Sequence, residues 1–252
     1  MENAKHFVLV HGLGHGAWSW YKIVALLKSA GHRVTALDLG ASGVNPSKFD
    51  EICSFSNYVL PLMDFMATLP EDEKVILVGH SFGGYGISLA MEIFPKKILV
   101  AVYVTAFMPN HVSPPAILLQ EFFNRTSVES QLDFQLSFDN GPENLPISGF
   151  GISKNAGKTR SVFLMDLANE SLLTEEKFGS VKRVFIVCEA DELLKKDFQE
   201  WFIERSPTKD VKFIAGADHM AMISKPKELC LCFQKIADKY YRTCHQEGLV
   251  LT

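Results

Sequence analysis

A serine stands between two glycines in the run Gly79-His80-Ser81-Phe82-Gly83. An apolar, β-branched segment at 75–78 precedes this run, and small and apolar residues at helical spacing follow it, which predicts a strand, a sharp turn and a helix. Gly-x-Ser-x-Gly in that setting is typical of a nucleophile elbow, where the turn holds the serine in a strained conformation. We therefore predict that Ser81 is a nucleophile. The alternative is a glycine-rich turn that only packs closely.

Backbone groups near this turn could stabilise negative charge. The N–H of Phe82, at the start of the predicted helix, would point at an oxyanion forming beside Ser81, where the helix dipole also favours negative charge. A second N–H is expected from the loop after the first strand. That loop has the sequence His11-Gly-Leu-Gly14, and the N–H of Leu13 is the expected donor.

A histidine and several carboxylates follow two later predicted strands. His219 comes after the strand at 211–214, and we predict that it is the general base that takes the Ser81 proton; an exposed loop histidine is the alternative. Asp191 comes after the strand at 182–188, and we choose it as the carboxylate that orients His219. Three neighbouring acidic residues remain alternatives: Glu189, Glu192 and Asp218.

Alternating strands and helices must position these residues. Continuous apolar runs predict strands, and helical spacing predicts helices between them. Because wholly apolar strands alternate with helices, the pattern indicates an α/β fold with a parallel sheet covered on both faces. We expect the tail after Arg242 to fray. The predicted strands are 7–10, 33–38, 75–78, 98–104, 182–188 and 211–214, and the predicted helices are 18–30, 55–69, the one after Ser81, 197–203 and 225–240.

Residues 111–177 interrupt this alternation. The segment contains two adjacent prolines, several phenylalanines and a stretch at 140–157 rich in Gly, Asn, Pro and Ser. We interpret it as an insertion that lies over the catalytic face as a cap, within a single domain spanning residues 1–252. A disordered linker is the alternative, but linkers seldom carry so many aromatic residues that need burial.

Composition excludes several classes of partner. The chain has 252 residues, 47% of them hydrophobic, a net charge of −4 and no cluster of Lys or Arg, so we expect neither nucleic acid nor an anionic membrane as a partner. The first residues lead straight into a strand without a signal region, and no apolar stretch is long enough to span a bilayer, so we expect a cytoplasmic protein. The five scattered cysteines are expected to be free thiols.

His11 and His15 could suggest a metal site in the first loop. No matching group of carboxylates or cysteines accompanies them in the sequence, so we expect no metal there. His80, next to the predicted nucleophile, is expected to be structural.

Several runs together resemble the plant methylesterase and hydroxynitrile lyase family of α/β-hydrolases, over nearly the whole chain. The resemblance implies an α/β-hydrolase fold with a cap, a small-molecule ester as substrate and no cofactor. It places the family's nucleophile on Ser81, its base on His219 and, through the pattern Asp197-Phe-Gln199, its acid on Asp191. The runs are Phe7-Val-Leu-Val-His-Gly12, His15-Gly-Ala-Trp18, Ser29-Ala-Gly-His-Arg-Val-Thr-Ala-Leu-Asp-Leu39, Gly79-His-Ser-Phe-Gly-Gly84, Gly179-Ser-Val-Lys-Arg183 and Ala217-Asp-His-Met-Ala-Met222.

Two positions separate the branches of this family. Hydroxynitrile lyases carry Thr where this chain has Gly12 and Lys where it has Met220. Without a cation at residue 220 a departing cyanide has no electrostatic partner, whereas ester hydrolysis needs none, so lyase activity is disfavoured. We place Gly12, His15 and Met220 in the substrate-binding site.

Two departures from the family affect the substrate prediction. Between Gly157 and Arg160 the chain lacks a stretch of cap that related esterases possess, and it has Lys195-Lys196 where relatives carry a proline.

We expect a serine carboxylesterase that cleaves the methyl ester of a small plant metabolite, such as an indole alkaloid or a hormone, with decarboxylation following for some acids. The alternatives are a hydroxynitrile lyase and a weakly catalytic metabolite-binding protein. The sequence allows a homodimer.

Overall fold

The computed structural model describes residues 4–48, 51–125, 136–137, 148–149, 167 and 173–249. Its strands are β1 His6–Val10, β2 Arg33–Leu37, β3 Val75–Ser81, β4 Ile98–Ala106, β5 Leu136–Ser137, β6 Ser148–Gly149, β7 Arg183–Cys188 and β8 Asp210–Ile214. Its helices are α1 Tyr21–Ser29, α2 Phe55–Thr68, α3 Gly83–Ile93, α4 Ala116–Arg125, α5 Lys196–Arg205, α6 Ala221–Ser224 and α7 Pro226–Leu249. Short 3₁₀ helices cover Ala17–Trp20, Pro95–Lys97 and Phe178–Ser180.

Six strands form one sheet in the order β2-β1-β3-β4-β7-β8, and each neighbouring pair is parallel. The two short strands β5 and β6 pair separately and antiparallel. Because all six strands of the main sheet run in one direction, their carboxyl ends lie at one edge and the loops that follow them converge there. The predicted α/β class and parallel sheet are confirmed.

The four central strands of this sheet, β1, β3, β4 and β7, are buried on both faces, which explains why they are mostly apolar. In β1, Val8 and Val10 join one core while Phe7 and Leu9 join the other, as the two-residue period of a strand requires. Residues of α2, α3 and α5 pack in the first core, and residues of α1 and α7 pack in the second. The sheet is therefore a rigid layer between two sets of helices, and the loops at its carboxyl edge start from fixed positions.

Two predicted helices differ in detail from the observed ones. The segment predicted as a helix from residue 18 begins as a 3₁₀ turn, and Trp18 is 58% exposed instead of joining the buried stripe. The final helix does not fray after Arg242 as predicted but continues to Leu249, because after its first residue no proline or glycine interrupts it before Gly248.

The predicted cap lies largely outside the described residues. Its first part forms α4, in which Leu118, Leu119 and Phe122 are buried in the core. Phe134, Phe138, most of the segment 140–157 and the shortened stretch between residues 157 and 160 fall outside the description.

The structure describes all the helices given above and the side chains of four of the five cysteines. The thiols of Cys53, Cys188, Cys230 and Cys232 are free. No helix in the described ranges is both long and apolar enough to cross a membrane.

Candidate active site

Ser81 is the last residue of β3 and has a φ of +52°, a left-handed conformation that a non-glycine residue adopts at a cost of roughly 1–3 kcal/mol. A hydrogen bond from the N–H of Phe107 to its carbonyl, 3.1 Å long, holds this turn. The helix α3 starts two residues later at Gly83, where a Cβ would lie 2.6 Å from the carbonyl oxygen of His11. Glycine is therefore required at residue 83 for α3 to approach the end of β1, and the strained elbow predicted from the sequence is present.

The loop after β1 lies directly beside this elbow. A Cβ added to Gly12 would lie 2.8 Å from the Cβ of Ser81 and 3.0 Å from Nδ1 of His80, so only glycine fits there without a shift of the neighbours. Leu13 follows in the same loop, and Phe82 is the N-cap residue of α3. N–H groups at the start of a helix point out of its N-terminus, which suits them to bind an anion. The roles of Leu13 and Phe82 in an oxyanion hole stay predictions.

Asp191 and His219 form a partly buried hydrogen-bonded pair. Nδ1 of His219 lies 2.7 Å from Oδ2 of Asp191, whose side chain is fully buried. The other carboxylate oxygen accepts from the N–H groups of Leu193 and Leu194 at 2.8 and 2.9 Å. Because an ionised carboxylate can only accept, Nδ1 carries the proton and Nε2 keeps a lone pair. This is the tautomer that a general base requires.

The alternative carboxylates have other partners or face solvent. Glu189 forms an ion pair with Lys196 at 2.9 Å, and Glu192 is exposed. Asp218 accepts from the N–H of Met220 at 2.9 Å and also from Ser224. Of the four candidates in the sequence, the structure brings Asp191 to His219.

Thr105 also forms a hydrogen bond to Asp191, although the sequence analysis did not identify it as a site residue. It is fully buried near the end of β4, with a φ of +37°, and its hydroxyl donates to Oδ2 of Asp191. Strand β4 is the sheet neighbour of β7, which carries Asp191 at its end. A hydroxyl residue at the carboxyl end of a predicted strand is the signal that could have identified it.

Gln199 fixes the loop that carries Asp191. Its buried side-chain amide accepts from the N–H of Cys188 at 3.0 Å and donates to the carbonyls of Cys188 and Leu194 at 2.9 and 2.7 Å. These bonds join α5 to both ends of the turn between residues 188 and 194. The Asp-Phe-Gln pattern noted in the sequence thus has a physical role in holding that turn.

His80 connects the elbow with the loop that carries His219. Its ring is fully buried, and Nε2 donates to the backbone carbonyl of His219 at 2.7 Å. Burial, followed by the neighbouring His219, holds the pKa of His80 well below its ordinary value, so the ring is neutral. Among the described residues Ser81 Oγ makes no hydrogen bond to His219, a contact that often tightens only when substrate binds.

The family model described as "Alpha/beta hydrolase family" matches residues 7–230. The chain belongs to this family. It is 46% identical to Methylesterase 10 of Arabidopsis thaliana, over 95% of this chain and 94% of that one. It is also 46% identical to Methyl jasmonate esterase 1 of Vitis vinifera, over 95% of this chain and 99% of the relative.

A solved structure shares the fold. The crystal structure of polyneuridine aldehyde esterase superposes with a TM-score of 0.82 at 42% identity, over 93% of this chain and 99% of that one. The resemblance to plant methylesterases noted in the sequence is confirmed, and this α/β hydrolase is an enzyme of the hydrolase class.

The three residues predicted to bind substrate in this α/β hydrolase lie around the elbow and the base. Gly12 is against Ser81, as described, and Met220 is half-buried directly after His219. The His15 ring lies 6.2 Å from that of His80, and its Nδ1 donates to the carbonyl of Leu13 at 2.9 Å. Their contact with a substrate stays a prediction. Among the described residues no group of three His, Cys, Asp or Glu side chains could hold a metal ion.

Proposed function

We propose that this α/β hydrolase is a serine esterase that cleaves the methyl ester of a small, largely apolar plant metabolite. The observation that carries the proposal is the hydrogen bond between His219 and the buried Asp191, joined through His80 to the strained turn of Ser81. Two relatives at 46% identity are named as a methylesterase and a methyl jasmonate esterase, which supports a methyl ester as the substrate.

The first chemical step is attack by Ser81. Nε2 of His219 takes the hydroxyl proton while Oγ adds to the ester carbonyl carbon. Asp191 accepts the Nδ1 hydrogen bond at 2.7 Å and so stabilises the imidazolium that forms. Thr105 and the N–H groups of Leu193 and Leu194 hold the carboxylate in place during this step.

The backbone N–H groups of Leu13 and Phe82 then bind the oxyanion of the tetrahedral intermediate, each contributing about 3 kcal/mol. Methanol leaves with the proton from His219, and a water molecule repeats the cycle on the acyl enzyme to release the carboxylic acid. These steps use only residues of this chain.

Aromatic rings beside the elbow support an apolar acid portion. Phe82 and Tyr85 have ring centroids 5.1 Å apart, and Tyr85 stacks with Phe107 at 5.4 Å. This buried cluster adjoins Ser81, because Phe82 follows it and Phe107 donates to its carbonyl. We propose that these apolar surroundings of Ser81 favour an acid portion with an apolar skeleton, such as an indole alkaloid or a plant hormone. An acid with a β-aldehyde or β-keto group could lose carbon dioxide after hydrolysis without further catalytic groups.

Methanol release from a panel of methyl esters tests the proposal. The panel contains methyl salicylate, methyl jasmonate, methyl indole acetate and an indole alkaloid methyl ester, with mandelonitrile as the lyase substrate. We expect turnover of at least one ester that falls by at least about 10³-fold in Ser81→Ala. The matched control is Ser180→Ala, at an exposed serine on a 3₁₀ turn, and it should leave turnover unchanged. Ester hydrolysis that survives Ser81→Ala, or cyanide release without ester hydrolysis, would contradict the proposal.

A further inference from the structure

His11 is a fully buried histidine whose two ring nitrogens both have partners at the carboxyl edge of the sheet. It follows β1 directly, and its Nε2 lies 3.1 Å from the N–H of Leu39, which follows the neighbouring strand β2. Its Nδ1 lies 2.7 Å from the carbonyl oxygen of Gly12. The side chain of His11 therefore joins the loop after β1 to the loop after β2.

These two partners determine where the ring proton is. The backbone N–H of Leu39 can only donate, so Nε2 of His11 must accept. The single proton of the neutral ring is then on Nδ1, which donates to the carbonyl of Gly12. Burial lowers the pKa of His11 more than the hydrogen bond to the Gly12 carbonyl and the nearby Asp38 raise it, and His15 lowers it further, so the net direction is downward. The neutral ring is thus the form that fits both hydrogen bonds.

The Gly12 carbonyl and the Leu13 N–H belong to the same peptide group. In a planar trans peptide these two groups point in opposite directions, so an anchor on the oxygen also fixes the direction of the N–H. The carbonyl of Gly12 accepts from Nδ1 of His11 at 2.7 Å and from the backbone N–H of His15 at 3.3 Å. Gly12 itself offers little resistance to rotation of this peptide, because glycine has access to a wide range of backbone conformations.

We propose that His11 is a positioning residue for the oxyanion hole: it clamps the Gly12–Leu13 peptide so that the Leu13 N–H is aimed at the oxyanion before substrate arrives. This inference rests on the proposed function, in which that N–H is one of two oxyanion donors. Preorganised donors act without rearrangement at the moment of reaction, which is the source of their effect on the rate. His11 touches neither the substrate nor the reacting atoms and acts only through the peptide.

The test compares His11→Leu with His6→Leu. His6 occupies the other end of β1, is 7% exposed and also has both ring nitrogens bonded: Nδ1 contacts Glu73 and Arg33 at 2.7 and 2.8 Å, and Nε2 contacts Thr35 at 2.8 Å. Both variants lose a buried histidine whose two ring nitrogens are bonded, but only His11 adjoins the oxyanion loop. His11→Asn is the conservative variant, because its amide can donate from near the position of Nδ1 while it cannot reach Leu39.

The measurements are kcat, KM, the affinity for a trifluoromethyl ketone analogue and the affinity for the product acid. The analogue is chosen because it forms an oxyanion when it adds to Ser81. Values are normalised to the folded fraction of each protein. For His11→Leu we expect kcat and the analogue affinity to fall in parallel by about 10²-fold, with KM and acid binding nearly unchanged. His11→Asn should recover part of the loss. His6→Leu should unfold at lower temperature with kcat unchanged.

An unchanged kcat per folded chain in His11→Leu would overturn the inference, and so would a loss of kcat without loss of analogue affinity. If His11→Leu does not fold, His11→Gln decides, because its amide oxygen can accept from the N–H of Leu39 near the position of Nε2 while it cannot donate to the carbonyl of Gly12. Its kcat and analogue affinity must fall together, and unchanged values reject the clamp. Failure of the proposed function is distinguishable, because ester hydrolysis would then survive Ser81→Ala or be absent from the original chain.

Discussion

The two edges of the parallel sheet use polar side chains in different ways. At the amino edge, where the strands begin, these side chains pair with one another. Lys5 pairs with Asp238, Arg33 pairs with Glu73, and Asp210 accepts from Lys239 and from Tyr240 at 3.0 Å. At the carboxyl edge, by contrast, the hydrogen bonds form a chain from Thr105 to Asp191 to His219.

The hydrogen bonds at the carboxyl edge converge on Asp191. Asp191 is satisfied by four donors, whereas the hydrogen bond of His219 to Asp191 leaves the lone pair of its Nε2 for a proton from Ser81. The comparison teaches that polar contacts stabilise the fold at one edge, where each ion pair has a partly exposed partner, and orient reactive groups at the other, where the carboxylate is fully buried. Substitutions at the two edges should therefore separate stability from catalysis.

The largest expected effect follows from Asp191→Asn. An amide can donate to Nδ1 of His219 and so favour the wrong tautomer, and we expect kcat to fall by about 10³–10⁴-fold with KM little changed. Steady-state kinetics on the preferred methyl ester measures this. The matched control is Asp210→Asn at the amino edge, which should lower the unfolding temperature and leave kcat within about twofold. Equal kinetic effects of the two substitutions would remove the distinction between the edges.

A smaller effect is expected from Thr105→Val. The change keeps the shape of the side chain and the β-branch but removes the hydroxyl that donates to Oδ2 of Asp191. A hydrogen bond to a charged group contributes roughly 1.5–3 kcal/mol, so we expect kcat to fall by about tenfold together with a loss of stability in urea. Thr105→Ser keeps the donor and should retain most of the activity. If Val and Ser variants have the same kcat, the hydroxyl does not support the acid.

The smallest kinetic effect is expected at His6, whose influence is on stability. Burial and the nearby Arg33 lower the pKa of His6 from 6.5 to about 4. As pH falls the unfolded chain, with the higher pKa, binds the proton first, so the free energy of unfolding decreases between about pH 6.5 and pH 4. One histidine shifted this far accounts for about 3 kcal/mol over that window.

Urea unfolding of His6→Gln across this pH range tests whether the lowered pKa of His6 causes this loss of stability. The variant should lose stability less steeply than the original chain as pH falls, with kcat at neutral pH unchanged. A remaining slope is expected, because the pKa values of His11, His32 and His80 are also lowered. Identical slopes in the two proteins would show that His6 does not titrate as described.

Local patterns in the sequence were sufficient for the fold class and for much of the candidate site. The apolar runs identify the central strands because both sheet faces are covered there, and the elbow at Ser81 is indicated by residues 79–83 together with the strand pattern before them and the helix pattern after them. His219 follows a strand in the same way. These features depend on residues close together in the chain, which is why periodicity and spacing predict them.

Contacts between loops could not be predicted in this way. Thr105 reaches Asp191 only because β4 and β7 are neighbours in the sheet, and His80 reaches the carbonyl of His219 across 139 positions of sequence. The choice of Asp191 over Glu189 likewise depends on which carboxylate the turn after β7 directs inward. Strand order and turn geometry determine these contacts, and a local sequence pattern predicts neither of them.

Covalent labelling with an organophosphonate tests the central claim most directly, since it requires an activated nucleophile. Peptide mass mapping should locate a single adduct on Ser81, and the labelling rate should fall by at least about 10²-fold in His219→Ala because the base is then missing. An adduct on another residue would contradict the account, and so would methanol release from methyl esters by a protein whose Ser81 resists labelling.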